Sequence, residues 1–250
     1  MNLSEIKKYL KTDVIGKNLI CLDETDSTNS DCKRNCDAEE GTVFTAELQT
    51  AGRGRRGHIW LSPKGSGLWF SILLKPNVPL EKVSQITLIA GLAVCRVIGG
   101  KIKYPNDIVI GTKKVCGILT ELVCGNNVVC GIGINVNNDS FEDEISKRAT
   151  SLKTENGIEY NREKLLAEIL NEFEKLYREF LKNGLHMIID EYKKRCVTWK
   201  SEVTVSYESK SVRGVCSDIT ADGNIVVDTA DGRIVVNSGE VSVRGIYGYV

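Results

Sequence analysis

The chain reads as an α/β protein with a mixed sheet flanked by helices, followed by a small all-β unit. Three observations predict this. Strand-like runs alternate with helical ones over most of the chain. Two long stretches, 80–98 and 161–181, carry apolar residues at 3.6-residue spacing. The last fifty residues change to short β-rich runs broken by turns, the pattern of a small barrel. A boundary falls near 197–201, which gives units of 1–198 and 199–250.

The elements follow in order. Residues 4–11 make a short helix, with Ile6 and Leu10 on one side and Ser4 as cap. Residues 18–23 suit a strand, and Ser27 or Thr28 caps a helix through the 30s. TVFTAEL at 42–48 is a strand that runs into an Arg/Gly loop, and GLWFSILLK at 67–75 is another. A helix over 80–98 has Val83, Ile86, Leu88, Ile89, Leu92 and Ala93 on one broad face. KIKYPNDIVI, KVCGILTELVC and NVVCGIGINVN follow as strands, and Gly125-Asn126-Asn127 marks a hairpin between the last two. Leu165, Ile169, Phe173 and Leu176 set the core face of a helix over 161–181; Asn161 and Lys164 do not form a capping box, which leaves its start open. Gly184 separates it from a helix at 185–196. Asp222-Gly223 and Asp231-Gly232 then punctuate the terminal strands.

Composition excludes several classes. The chain has 250 residues with 33 basic and 33 acidic side chains, so it lacks the basic excess typical of a duplex-DNA binder. Its nine cysteines include no CxxC, and His58 and His186 stand apart from cysteine pairs, which argues against a zinc site. The expected state is reduced, mostly buried thiols in a cytoplasmic protein. MNLSEIKKYLK lacks the apolar core of a secretory signal, and no run of about 18 apolar residues exists to cross a membrane.

The chemistry concentrates in QTAGRGRRGHIW at 49–60. Glycine permits close backbone approach, and arginine brings forked donors that match phosphate or carboxylate oxygens. Three charged side chains and three glycines predict a loop that is mobile until an anion neutralises it. A solvated basic turn and a nucleic-acid tail are the competing readings, but no further RG repeats appear. DSTNS (26–30), KYPND (103–107), KVCGIL (114–119) and GIGIN (131–135) each add small polar, cationic or glycine positions, and each alone is a weak signal. GxxxxGK[ST] and GxSxG are both absent, and the tryptophan after the arginines does not suit a Rossmann helix start.

Taken together, STN at 27–29, QTAGRGRRGHIW, KYPND, KVCGILTE at 114–121, GIGIN and GEVSVR at 239–244 resemble the biotin–protein ligase family in order and spacing. The resemblance implies a class II synthetase-like mixed sheet with an SH3-like C-terminal barrel. It also implies an ATP-dependent ligase that makes biotinyl-5′-AMP and transfers biotin to a lysine of a carboxyl carrier domain. Carried over, Ser27, Thr28, Asn29 and Gln49 correspond to contacts with the biotin head. Gly52, Arg53, Gly54 and Arg55 correspond to the adenylate loop, with Trp60 as an apolar wall. Lys114 corresponds to the lysine between carboxyl and phosphate, while Gly117, Gly131 and Gly133 let strands approach the ligand. Arg56, Lys103, Asn106, Asp107, Asn135 and Arg244 fall on the nucleotide side. Arg53, Arg55, Lys103, Lys114 and Asp107 are the candidate catalytic set, with Mg²⁺ arriving on the ATP phosphates.

The same resemblance implies a carboxylase carrier as partner, no nucleic acid or membrane, and compatibility with a homodimer through a sheet edge. Lipoate or octanoate ligases share the catalytic fold and form the main alternative; a non-catalytic nucleic-acid-binding module is the other. Three departures stand out: His58 replaces a common loop arginine, Tyr104 replaces the tryptophan of KWPND, and residues 1–16 are too few for a winged helix-turn-helix. The expectation is therefore ligase activity without repressor activity.

Overall fold

A computed structural model describes residues 1–207, 210–237 and 242–245. Helix α1 (Leu3–Tyr9) starts on Asn2, whose side chain accepts from the Ser4 and Glu5 amides at 3.0 and 3.4 Å. Next come β1 (Leu19–Thr25), α2 (Thr28–Arg34), β2 (Val43–Gln49) and β3 (Gly67–Leu74). The helix expected over 80–98 divides into a 3₁₀ turn, Leu80–Lys82, and α3 (Gln85–Ile98), because i→i+3 bonds such as Ile86 N–H to Val83 O interrupt the ladder. Strands β4 (Lys101–Lys103), β5 (Asp107–Ile110), β6 (Lys113–Val123) and β7 (Asn127–Asn135) follow. Two short helices, α4 (Asp143–Ser146) and α5 (Leu152–Asn156), carry no periodic signal; both are under two turns long.

Helix α6 (Arg162–Asn183) begins where the Asn161 side chain accepts from the Lys164 amide at 2.8 Å, so a plain N-cap supplies the start signal. After a 3₁₀ turn at Leu185–Met187 comes α7 (Ile189–Arg195). The remaining strands are β8 (Glu202–Tyr207), β9 (Lys210–Ile219), β10 (Ile225–Thr229), β11 (Gly232–Val236) and β12 (Ser242–Gly245).

Two sheets result. The first has seven strands in the order β1-β2-β3-β7-β6-β5-β4, with β1–β2 parallel and the other pairs antiparallel. The second has five antiparallel strands in the order β11-β10-β9-β8-β12. In the first sheet one face packs under α3 and α6, where Phe70, Ile72, Ile132 and Ile134 join Leu92 and Phe173 in the main core. The other face receives α2, with Cys32, Phe44, Leu73 and Val129 in a smaller cluster. The second sheet shares the main core through Val203, Val205 and Ile225. The segment leading into it is held to β4 by Val197 N–H to Ile102 O at 2.9 Å, and its β9–β10 turn is held by the Tyr104 hydroxyl, which donates to Gly223 O at 3.0 Å.

The expectation of reduced thiols fails at one pair: Cys36 and Cys124 form a disulfide. Their 88-residue separation hides the pairing in the sequence, and it arises because α2 ends beside the tip of the β6–β7 hairpin. The other seven cysteines are free, and six of them are buried. Among the described residues no helix is long and apolar enough to cross a membrane.

Candidate active site

The site grows from a row-by-row correspondence between β3, β7 and β6. Ser71, Gly131 and Leu119 form one row across the three strands, and Trp69, Gly133 and Gly117 form another two residues along. Alternation puts both rows on the face that carries α2. The glycines leave that face without side chains, and protein groups fill the space. A Cβ on Gly131 would stand 1.9 Å from Asn29 Oδ1; one on Gly133 would stand 2.5 Å from Trp60 Nε1; one on Gly117 would stand 2.9 Å from the Trp60 ring. Asn29 therefore sits on one row and Trp60 on the other.

At the α2 end the polar groups are linked. Ser71 Oγ donates to Asn29 Oδ1 at 2.6 Å and lies 2.7 Å from Thr28 Oγ1. Gln49 Oε1 accepts from the Thr28 amide at 2.9 Å, while Gln49 Nε2 donates to Ser62 Oγ at 2.7 Å. Ser27, Thr28, Asn29 and Ser71 are all buried. Buried polar atoms need partners, and the amide and hydroxyl groups here supply one another.

At the other end lie the cations. Lys114 Nζ is 2.6 Å from Asp107 Oδ1 and 5.1 Å from the centre of the Trp60 ring. Arg55 donates to Asn106 Oδ1 at 3.1 Å, and Asn106 is itself fixed to β6 by the Ile118 amide, which donates to its carbonyl at 2.9 Å. Burial, then the neighbouring Arg56, pull the Arg55 pKa below its ordinary value. Bringing an anion to this end would relieve that repulsion. The indole N–H of Trp60 is buried without a hydrogen-bond partner.

The arginine loop folds back on itself. Gly54 N–H donates to His58 O at 2.7 Å and Trp60 N–H to Gly52 O at 3.0 Å, and Arg53 bridges Ile59 in antiparallel fashion. Arg56 has φ 55° and Gly57 φ +77°, which turns the chain at the tip. The backbone closes a small hairpin on itself. The side chains of Arg53, Arg56 and His58 remain exposed.

The cleft between the two ends is narrow, with Trp60 and Asn29 over its glycine floor, and is lined by Ser27, Thr28, Asn29, Gln49, Arg53, Gly54, Arg55, Trp60, Asn106, Lys114, Gly117, Gly131 and Gly133 of the sequence-expected set. Asp107 reaches the cleft through Lys114. Gly52 lies behind the lining, where a Cβ would stand 2.3 Å from Trp60 O. Lys103 and Asn135 are buried outside the lining; Lys103 is in register with Asp107, and Asn135 donates to Thr150 O at 3.0 Å. Arg244 pairs with Thr204 along β12, but its side chain lies outside the described residues, as do residues 239–241 of GEVSVR. Sequence reasoning passed over Ser71, Ser62, Phe70, Ile118, Leu119 and Ile132. A signal existed for Ser71: it is the one polar residue in the strand GLWFSILL, and a fully buried hydroxyl needs a partner.

Comparison with known proteins agrees with this architecture. Residues 19–138 match the Biotin/lipoate A/B protein ligase family, and residues 201–244 match the Biotin protein ligase C terminal domain. The bifunctional ligase/repressor BirA of Bacillus spizizenii is 43% identical over 195 residues, covering 72% of this chain and 60% of that protein. The biotin–[acetyl-CoA-carboxylase] ligase of Mycobacterium tuberculosis is 29% identical over 254 residues, covering 94% of each. The structure of biotin protein ligase from Aquifex aeolicus in complex with biotin and ATP superposes with a TM-score of 0.80 at 31% identity, over 92% of this chain and 99% of that one. The chain thus spans 60% of the length of the Bacillus relatives it matches.

Proposed function

The chain belongs to the biotin protein ligase family, and from that premise we propose that it activates biotin with ATP and transfers it to a lysine of a carboxyl carrier domain. One observation carries this: a neutral, acceptor-rich end and a cationic end share one cleft over a glycine floor. Biotin has an uncharged ureido head and an anionic tail, which match those two ends in order.

In the first half-reaction the biotin carboxylate attacks the α-phosphorus of ATP, forms a C–O–P anhydride and expels diphosphate. Both reactants are anions, so the barrier includes their repulsion, and fixed cations lower it most where water is excluded. Lys114 and Arg55 supply that charge in the cleft, and Arg53 supplies it at the rim. Lys103, Asn135, Arg56 and Arg244 complete the proposed nucleotide side, together with the arginine loop. The carboxylate at this end, Asp107, is already paired with Lys114, so Mg²⁺ would be held by phosphate oxygens and water.

In the second half-reaction a lysine amine attacks the anhydride carbonyl and AMP leaves. Asp107 would orient that amine or hold Lys114 while it leaves the adenylate. The hairpin at 52–60 would screen the anhydride from water until the carrier arrives. The test mixes the protein with ATP, Mg²⁺, biotin and an isolated carrier domain and weighs the carrier. A biotin-sized mass gain is expected. No gain, or an equal gain with lipoate, would overturn the assignment.

A further inference from the structure

Glu121 ends the motif KVCGILTE, and the proposed reaction gives it no task. It lies on β6 one same-face position beyond Leu119, next to the row that seats Asn29. Its Oε2 accepts from Asn29 Nδ2 at 2.8 Å, and its Oε1 accepts from Lys33 Nζ at 2.7 Å. Lys33 is one helical turn after Asn29 on α2, so one carboxylate grips both. The grip is reinforced nearby: the Cys36–Cys124 disulfide and the bond from Asn127 Nδ2 to Cys36 O hold the end of α2 to the β6–β7 hairpin.

The arrangement has a direction. Burial works to raise the Glu121 pKa, but the hydrogen bonds from Lys33 and Asn29 outweigh it and leave the group below its ordinary value, ionised at neutral pH. A carboxylate only accepts. The Asn29 amide therefore points its NH₂ at Glu121, with a longer contact of 3.4 Å to Leu119 O, and its oxygen at Ser71. Ser71 then spends its single proton on Asn29 Oδ1, at 2.6 Å. Thr28 has one proton and two acceptors in reach, Ser71 Oγ at 2.7 Å and Gln49 Oε1 at 3.2 Å, and the shorter contact, which cannot stand without a proton, takes it. With the Thr28 proton committed elsewhere, no proton remains between those two oxygens, and both line the cleft as acceptors. The Gln49 amide cannot turn to relieve this, because its NH₂ is engaged with Ser62.

We propose that Glu121, secured by Lys33, is a positioning residue that sets the polarity of the chain Thr28–Ser71–Asn29, so that Thr28 and Gln49 face the cleft as paired acceptors for a ureido N–H. The opposite polarity is available to the same atoms. If Asn29 turned its NH₂ to Ser71, the Ser71 proton would pass to Thr28 and the Thr28 proton to Gln49. The cleft would then close its own acceptors against each other. This inference rests on biotin being the substrate.

The test uses the full chain and separates polarity from simple ion pairing. In the double variant Lys33→Glu/Glu121→Lys the ion pair can re-form, but residue 121 can only donate and so turns the Asn29 amide around. Biotin KM and ATP KM are measured by diphosphate release, with biotin and with an analogue methylated on a ureido nitrogen. In the swap, biotin KM should rise roughly 10–100-fold, ATP KM should stay within about twofold, and the preference for biotin over the methylated analogue should shrink by about tenfold. Glu121→Ala, which keeps Lys33 and leaves the amide only its 3.4 Å contact with Leu119 O, should move the same ratio in the same direction if the swap does not fold. A swap that restores the biotin KM and the preference, or an alanine variant with an unchanged preference, overturns the proposal while leaving the function standing. Wild-type protein that neither turns over nor binds biotin overturns the function, and this inference with it.

Discussion

Replacing Gly131 with alanine tests how the glycine floor works. The added methyl would lie 1.9 Å from Asn29 Oδ1, 2.7 Å from its Cγ and 3.0 Å from its Nδ2, and these are the three nearest atoms. Ordinary van der Waals contact begins at 3.4 Å, so the carboxamide must retreat by about 1.5 Å, far more than a packed interior concedes without loss. A shift of that size breaks the 2.6 Å bond from Ser71 and the 2.8 Å bond to Glu121. A neutral hydrogen bond contributes about 0.5–1.5 kcal/mol and one to a charged group about 1.5–3 kcal/mol, so the expected loss of stability is about 2–4 kcal/mol. Biotin KM should rise roughly tenfold or more, because 1.4 kcal/mol of misplaced contact is a factor of about ten. ATP KM should move little.

The assay is a double-mutant cycle in which thermal unfolding and biotin KM are measured for Gly131→Ala, Asn29→Ala and the pair. Asn29→Ala removes the atoms the new methyl would strike. The second substitution should then cost less than about 0.5 kcal/mol in that background, against about 2–4 kcal/mol alone. Additive losses would refute the reasoning, since they would mean that the methyl disturbs β7 itself and not its occupant.

Three further outcomes follow from the same geometry. Asp107→Ala, which strips Lys114 of its partner at 2.6 Å, should slow carrier transfer more than adenylate formation in single-turnover assays; equal slowing would assign Asp107 to holding Lys114 alone. Glu47 is buried in β2, where Arg162 contacts it at 3.0 and 3.2 Å and the Met1 amine also pairs with it. Burial works to raise its pKa, but those partners outweigh it and leave it lowered. The resulting stability is present above the ordinary glutamate pKa of about 4.3 and lost as pH falls through the lower folded value. Glu47→Gln should therefore cost about 3–5 kcal/mol in denaturant unfolding at pH 7, a penalty that shrinks below about pH 4. Finally, Cys36→Ser/Cys124→Ser opens an 88-residue separation, for which chain entropy predicts a loss of about 4–5 kcal/mol. Dithiothreitol should lower the Tm of the parent and leave that of the variant unchanged.

What the sequence made legible divides along a physical line. Helices α3 and α6 were readable because their periodicity is local and long, and the strands at 43–49 and 67–74 because each is one continuous β-rich or apolar run. The cationic loop, STN and Lys114 were readable because their chemistry is written in adjacent residues. Contacts that exist only after the strands align were not readable. Nothing in KVCGILTE says that its last residue grips an asparagine on α2, and nothing in GIGIN says that its first glycine makes room for that asparagine. Nor does spacing reveal that Cys36 meets Cys124, or that Glu174 on α6 accepts the amides of Asp13, Val14 and Ile15 at 2.7, 2.9 and 2.7 Å.

The missed contacts share a role. Each fixes a group that the motifs supply: Glu121 and Ser71 fix Asn29, Ser62 fixes Gln49, and Asn106 fixes Arg55. A site without these contacts would leave several of the motif residues free to rotate. An amide that rotates presents a donor as readily as an acceptor, and an N–H on the ligand then meets the wrong partner half the time. On the proposed reading, selectivity for a ureido head then depends on atoms that need never touch the ligand, and these sit on and around the strands whose glycines make space for Asn29 and Trp60.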